Sequence, residues 1–360
     1  MKAVIGMGYG DEGKGLTTSY LCSKTINPLV VRFNGGHQAG HTVVYEGQRH
    51  IFSNFGSGSL QGVPTLWSHF CTFHPSHVLN EYNALNNPKL FVHGLCPITT
   101  PYEIQAGCER EKAVQHGSVG LGFGATIQRQ QDYFNLYVQD LPFESIVRAK
   151  LHNISLYYGF KLDITQFLAD IREVLDVIDI VNYYYNLFMH YNPIFEGAQG
   201  ILLDQDFGFF PNVTRSNTTT HNVLSLTEAV EVFYVTRTYQ TRHGNGFMTN
   251  EGLPLELVNI ENETNVLDEW QGVFRKSVLD IDLLNYALTC DNNFSKNCQK
   301  NLIISCVDQT GYDFDVTVGG KIKRIELVEL PTLLNAKFEN VLFSKGDSLD
   351  CIESLPQLVY

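Results

Sequence analysis

The sequence predicts an α/β fold in one large domain, with strands recurring throughout and helices between them. Three observations carry this. Residues 3–5 form a short apolar run that feeds a glycine-rich loop and then a helix-compatible stretch from Lys14 to about Ser23. Further apolar runs at 28–33, 193–195, 232–242, 301–307 and 341–343 end in polar or glycine-bearing segments, with helical patterning among them. No repeats or low-complexity linkers interrupt the 360 residues, and 44% hydrophobic content supplies a sizeable core, so 1–360 is expected to form a single domain.

Bulk charge narrows the ligands. A net charge of −13 argues against broad binding to nucleic acid or anionic membranes, so any phosphate must be held by local amides, a few cations and a metal. Eight cysteines include no C-x-x-C pair and no zinc-ligand spacing. They read as reduced thiols, and with no signal peptide or membrane-length apolar run a cytoplasmic location is expected.

The first loop, Gly6-Met7-Gly8-Tyr9-Gly10-Asp11-Glu12-Gly13, lets backbone amides turn toward a ligand, and the following helix adds its positive dipole end. Gly8 to Lys14 satisfies the G-x-x-x-x-G-K spacing, although Gly15 stands where a hydroxyl residue would hold Mg²⁺. Asp11 and Glu12 are out of place in a plain phosphate cradle. Two carboxylates repel phosphate unless one binds a metal or performs proton chemistry. A purely structural glycine turn is the competing reading.

The second strand, 28–33, delivers Asn34-Gly35-Gly36-His37-Gln38-Ala39-Gly40-His41-Thr42 at its C-terminal end, where α/β folds place ligand loops. Its glycines argue against a helical His37/His41 metal pair and favour His41 as a lone acid or charge stabiliser. Residues 43–52 alternate around Glu46-Gly47, a hairpin pattern. His69, His74 and His77 show no ligand spacing and read as structural or surface groups. The glycine cluster at 117–126 suits backbone approach to a phosphate, with Ser118 or Thr126 as donors, or else a flexible loop. Residues 141–190 read as amphipathic helix, their tyrosines suited to packing or subunit contacts.

The strand at 193–195 leads into Glu196-Gly197-Ala198-Gln199-Gly200, and the polar stretch continues to Thr219. Its amide, its hydroxyl run and Arg215 fit a base edge and a monophosphate. Residues 232–242 read as one strand. Arg275-Lys276 is a cationic pair that is either a solvated face or a clamp for a carboxylate ligand. The strand at 301–307 ends in Asp308, and the last leads to Ser344-Lys345-Gly346-Asp347.

Three of these segments, Gly10 to Gly15, Gly35 to Thr42 and Phe195 to Gly200, resemble in order and spacing the signatures of adenylosuccinate synthetases. The resemblance extends through Leu202-Leu203-Asp204 to Thr219. It implies a single large domain on a mostly parallel central sheet related to phosphate-loop proteins, and a Mg²⁺-dependent ligase that joins L-aspartate to C6 of a 6-oxopurine nucleotide at the expense of a nucleoside triphosphate, working as a homodimer. Asp11 would take the purine N1 proton and bind the metal with the Gly40 carbonyl. Lys14 would hold phosphate, and His41 would assist transfer of the γ-phosphate to O6 before aspartate displaces it.

Carried over by position, the acceptor nucleotide falls to Asp11, Glu12, Gly13, Lys14, Ser19, Gln38, Ala39, Gly40, His41, Ser118, Val119, Gln199 and Thr214, with Arg129 a candidate for its phosphate across the dimer. The donor nucleotide falls to Gly10, Gly13, Lys14, Gly15, Gly40, His41, Thr42, Arg275, Asp308, Ser344 and Gly346, and aspartate to Gly272, Val273, Arg275 and Lys276.

Departures from the family pattern bear on substrate. Gln38 replaces an Asn, Ser19 an Asp, the phosphate loop is reduced to Ser118-Val119-Gly120-Leu121, and an arginine-rich loop to Gly272-Val273-Phe274-Arg275-Lys276. The missing first arginine and the small Ser19 are similar to the phage branch, which converts dGMP and can use ATP or dATP. The expectation is therefore dGMP as acceptor in host cytoplasm, with IMP and GTP as the alternative and a catalytically silent homologue as a further one.

Overall fold

The computed structural model describes residues 1–114, 120–259 and 273–356. Strands in chain order are β1 (Lys2–Gly6), β2 (Pro28–Arg32), β3 (His41–Tyr45), β4 (Gln48–Phe52), β5 (Thr65–Trp67), β6 (Leu90–His93), β7 (Ile178–Val181) and β8 (Asn192–Glu196). They continue with β9 (Glu231–Arg237), β10 (Tyr239–His243), β11 (Phe274–Asp280), β12 (Lys300–Ser305), β13 (Asp313–Val318), β14 (Lys321–Glu326), β15 (Asn340–Ser344) and β16 (Ile352–Ser354). The helices are α1 (Lys14–Ser23), α2 (Pro75–Ala84), α3 (Pro101–Val114), α4 (Phe123–Gln131), α5 (Glu144–Tyr158), α6 (Thr165–Val174), α7 (Tyr184–Phe188), α8 (His221–Leu226), α9 (Ile281–Ser295) and α10 (Val307–Thr310).

Among the described residues, ten strands form one sheet in the order β16-β15-β12-β9-β1-β8-β2-β5-β6-β7. Neighbours run parallel except at the β15–β16 edge. β1 is central, and its residues alternate between two cores: Ala3 and Ile5 join one face, Val4 the other. Burial on both faces is why such strands read as continuous apolar runs rather than alternating ones. Leu21 and Cys22 of α1 cover the Val4 face, and Leu284 and Leu288 of α9 the opposite one.

A second sheet, β10-β11-β13-β14, stands beside the first, and β3–β4 form the hairpin expected around Glu46-Gly47. Those two residues take φ of 48° and 78°, the left-handed pair that suits a two-residue hairpin turn.

Three element expectations change. Residues 141–190 are not helical throughout: Ile178–Val181 is a strand that pairs with β6 at the sheet edge. Residues 232–242 divide between β9 in the large sheet and β10 in the small one. The break lies at Thr238, whose N–H donates to Ser305 O at 3.2 Å and whose hydroxyl donates to Cys306 O at 3.2 Å. β12 stops at Ser305, because Cys306 turns into the left-handed region (φ 62°) and places Asp308 on the short α10.

Candidate active site

The C-terminal ends of β1, β2, β8 and β12 meet at one point. Leu202 N–H donates to Gly8 O at 3.1 Å, tying the β8 loop to the β1 loop. Asn34, just past β2, exchanges two hydrogen bonds with Ala198, at 2.9 and 2.8 Å. Ser305 Oγ donates to the Glu12 carbonyl at 2.8 Å, bringing β12 against the same loop. Polar ends of parallel strands are where open α/β sheets hold ligands.

Within the first loop the two acids divide. Glu12 is buried and turned inward: its Oε1 accepts from the Gly8 and Gly10 amides at 2.9 and 3.0 Å, and its Oε2 pairs with Lys14 Nζ at 2.6 Å. Asp11 adopts φ 62° and keeps 24% of its side-chain exposure. Its Oδ2 lies 3.1 Å from His243 Nε2. Burial alone would push the Asp11 carboxyl up, but His243, Arg237 and Lys14 outweigh it and hold it below the usual carboxylate range.

His41 is buried opposite Glu196, with Nδ1 at 2.8 Å from Glu196 Oε1. Ser57 donates to the same carboxylate through its hydroxyl and, at 3.2 Å, through its backbone N–H. Burial drags the imidazole pKa down, Glu196 pushes it back, and Arg32 and Lys14 pull it down again, leaving His41 below the usual histidine value. Glu196 itself is held low, because His41, Arg32 and Ser57 overcome its burial. The pair therefore consists of an ionised Glu196 and a neutral imidazole that donates Nδ1–H to it, which leaves Nε2 as the remaining nitrogen. Nearby, both amide atoms of Gln38 and Oε1 of Gln199 are buried with no hydrogen-bond partner among the described residues. Buried amides left in that state in a cleft point to a polar ligand.

The sequence model of the family described as Adenylosuccinate synthetase matches residues 3–308. This chain belongs to the adenylosuccinate synthetase family.

The adenylosuccinate synthetase of Picrophilus torridus is 30% identical over 274 residues, covering 70% of this chain and 65% of that one. That of Glaesserella parasuis is 28% identical over 371 residues, covering 94% and 84%. The chain thus spans just under two thirds of the first relative and more of the second. Two solved structures share the fold. The fully ligated adenylosuccinate synthetase of Plasmodium falciparum has a TM-score of 0.82 at 18% identity, over 98% of this chain and 99% of that one. The cyanophage S-2L succinoaminodeoxyadenylate synthetase, bound to dGMP and dATP, has a TM-score of 0.66 at 18% identity, over 99% and 95%.

Against the family pattern, Lys14 lies near both Asp11 and His41, Gln199 against Gly10 and Gln38 against Gly35, with Gly13, Gly15, Ala39, Gly40 and Thr42 in the same backbone segments. Thr214 lies beyond them, its N–H donating to Leu203 O at 2.8 Å, in the segment that follows Gln199 and Gly200. Asp308 stands near Asp347, and burial together with that neighbour raises its pKa; Ser344 is buried with an unpartnered hydroxyl, beside Gly346.

Three site assignments are corrected. The Glu12 carboxylate braces the loop from within and does not face an acceptor. Ser19 is fully buried on α1, and both its hydroxyl and its carbonyl accept from Gln61 Nε2, at 2.7 and 2.9 Å, so it points under the 59–61 turn. Arg129 is committed to the core of its own chain: it is fully buried, with Nε on Glu103 at 2.9 Å and NH2 on Ile98 O at 2.6 Å.

Of the aspartate segment, Val273 is exposed, Arg275 donates to Glu251 at 2.8 Å and to Gly246 O at 2.8 Å, and Lys276 lies 5.5 Å from the Phe274 ring. Ser118, Val119 and Gly272 lie outside the described residues. Sequence reasoning assigned no role to Glu196 or His243. Glu196 sits inside a recognised signature and was legible as a candidate; His243 carried no signal, because its partner is more than two hundred positions away.

Proposed function

We propose that this chain is a ligase that forms a C–N bond between L-aspartate and C6 of dGMP, using ATP or dATP. The carrying observation is the juxtaposition of an ionised, partly exposed Asp11 with Lys14 and the His41–Glu196 pair, beside two unpartnered buried amides. Asp11 takes the N1 proton, raising charge on O6, which attacks the γ-phosphorus as the β–γ bridging bond breaks and the nucleoside diphosphate leaves. Lys14 and the loop amides offset charge on the phosphates. His41, neutral in the free protein, is drawn toward protonation by the arriving negative charge and can then donate through Nε2. The aspartate nitrogen next displaces the 6-phosphoryl group, and phosphate leaves. Asp11 suits Mg²⁺, because its carboxylate stays partly exposed at the cleft and this ion takes one or two carboxylates plus substrate phosphates and water. Gly40, exposed at the cleft edge, would add its carbonyl. When bound, the metal would neutralise charge on the transferring phosphoryl group.

Three features support dGMP. Gly272 or Val273 stands where the family pattern expects an arginine reaching the ribose hydroxyl. Arg275, the remaining guanidinium of that strand, is engaged by Glu251. The fold is shared with a protein whose structure holds dGMP and dATP. The curated relatives, all named adenylosuccinate synthetases, favour IMP with GTP as a second reading. With Arg129 committed to the core, Arg215 beside Thr214, bonded to Gln128 of α4 at 2.6 Å, takes the place of candidate for the acceptor phosphate. A homodimer in the cytoplasm is the assembly and location this reading implies. No described helix is long and apolar enough to cross a membrane.

The test incubates the protein with Mg²⁺, aspartate, each of ATP, dATP and GTP, and either dGMP or IMP, and separates products by chromatography. A succinylated product from dGMP with release of phosphate is expected. Product from IMP alone would overturn the acceptor assignment, and product from neither would favour a silent homologue.

A further inference from the structure

The Asp11 backbone stands at φ 62°, a conformation that a non-glycine residue holds only when its surroundings impose it. Those surroundings come from the end of β9 and from one face of β10. Arg237 Nε donates to the Asp11 carbonyl. Thr241 Oγ1 donates to Gly10 O at 3.1 Å. His243, two residues on and therefore on the same face as Thr241, sets Nε2 3.1 Å from Asp11 Oδ2. The imidazole is itself fixed: it pairs across the strands with Phe274, and the two rings lie 4.8 Å apart. Among the described residues, Oδ1 of Asp11 has no hydrogen-bond partner, on a side chain that still reaches solvent.

We propose that His243 is the positioning residue for Asp11: by holding Oδ2 from the β10 side, it fixes the carboxylate so that Oδ1 faces the purine. The inference rests on the reading of Asp11 as the group that meets the acceptor. An unrestrained carboxylate samples several rotamers, and only some direct a lone pair at the N1 proton. Fixing one oxygen removes that search and converts binding into a reactive geometry. The imidazole acts on one oxygen only, so the other stays available to the substrate. His243 and His41 thus have separate duties. His41 is oriented by Glu196 from β8, whereas His243 orients Asp11 from the second sheet. Because His243 faces Phe274, the neighbour of Arg275, the strand carrying the aspartate clamp also backs the positioning of the base.

The experiment compares wild type with His243→Ala and His243→Gln, in steady-state turnover and in calorimetric binding of dGMP and IMP without donor. A glutamine amide can reach Oδ2 from the same strand position. Loss of the imidazole contact to Asp11 Oδ2 in His243→Ala is expected to lower kcat about 10- to 100-fold, with each KM changed less than about 3-fold, and His243→Gln should recover most of that loss. Unfolding midpoints of the three proteins should agree. In the binding cycle, the effect of His243→Ala on acceptor binding, within about 3-fold when Asp11 is present, should vanish in an Asp11→Asn background. Wild-type kcat in His243→Ala, or losses in kcat and KM that track a fallen unfolding midpoint and are not rescued by Gln, would overturn the proposal. If no substrate combination turns over but the binding cycle still shows coupling, the positioning role stands and the catalytic reading alone fails.

Discussion

Arg129 and Glu103 face each other with neither side chain exposed, and the Thr100 N–H donates to the second Glu103 oxygen at 2.6 Å. A guanidinium bound in this way is part of the core between α3 and α4. Arg129→Ala would strand the Glu103 charge away from water, a cost of about 3–5 kcal/mol. A matching fall in the urea midpoint is expected, with nucleotide affinity of the folded protein unchanged. Were Arg129 a phosphate ligand reaching across subunits, stability would be spared and affinity lost. Glu12 follows the same logic: an acid that looked misplaced in a phosphate loop is the internal partner of Lys14 and of two amides. A single sequence does not distinguish an inward carboxylate from an outward one, because direction depends on packing against Gly6 and Gly200.

At the scale of elements, the site depends on how closely the β1 and β8 loops approach. A Cβ at Gly200 would lie 2.3 Å from Gly8 O and 2.7 Å from Glu12 Oε1, both in the first loop. Neither can yield without shifting the cradle. Gly200→Ala is therefore expected to cost about 1–3 kcal/mol and to weaken nucleotide binding together with it, measured by thermal unfolding and calorimetry. An unaltered protein would mean that the two loops are not held at the separation described. The second element-scale lesson is the division at Thr238. One apolar-looking run, 232–242, serves two sheets, and that division carries Thr241 and His243 to the Asp11 loop. Periodicity along the run contains no mark of it, since both halves are strands.

Across the whole molecule, the histidines that read as structural or surface groups form part of an acid-sensitive core. His74 is buried and His77 partly so, and the His37 ring lies 5.3 Å from one and 4.7 Å from the other. Burial, with the neighbouring rings, lowers His37 to about 3 and His74 to about 2. Both folded values lie below the unfolded one near 6.5, so the unfolded chain binds protons first as pH falls. Stability is full above that value and declines toward pH 3, by roughly 1.4 kcal/mol per pH unit for each residue. Urea midpoints measured from pH 7 to 4 should fall, and His74→Phe should make that fall shallower by roughly 1.4 kcal/mol per pH unit. An unchanged slope in that variant would show that His74 is not held neutral.

Much of this protein is legible in one dimension. The α1 boundaries, the β3–β4 hairpin and the three signature loops follow from apolar runs, glycine positions and the chemistry of local residue types, all short-range properties. The family followed from those loops, and with it Asp11, Lys14 and His41. Tertiary structure decided which of the named residues face the cleft. Ser19, Glu12 and Arg129 sit near the right loops in sequence but turn into the core, because hydrogen bonds to Gln61, Lys14 and Glu103 satisfy them there. His243 reaches the site only through the pairing of β10 with β11. Direction and long-range contact are set by the sum of packing over distant elements, and no local pattern encodes that sum.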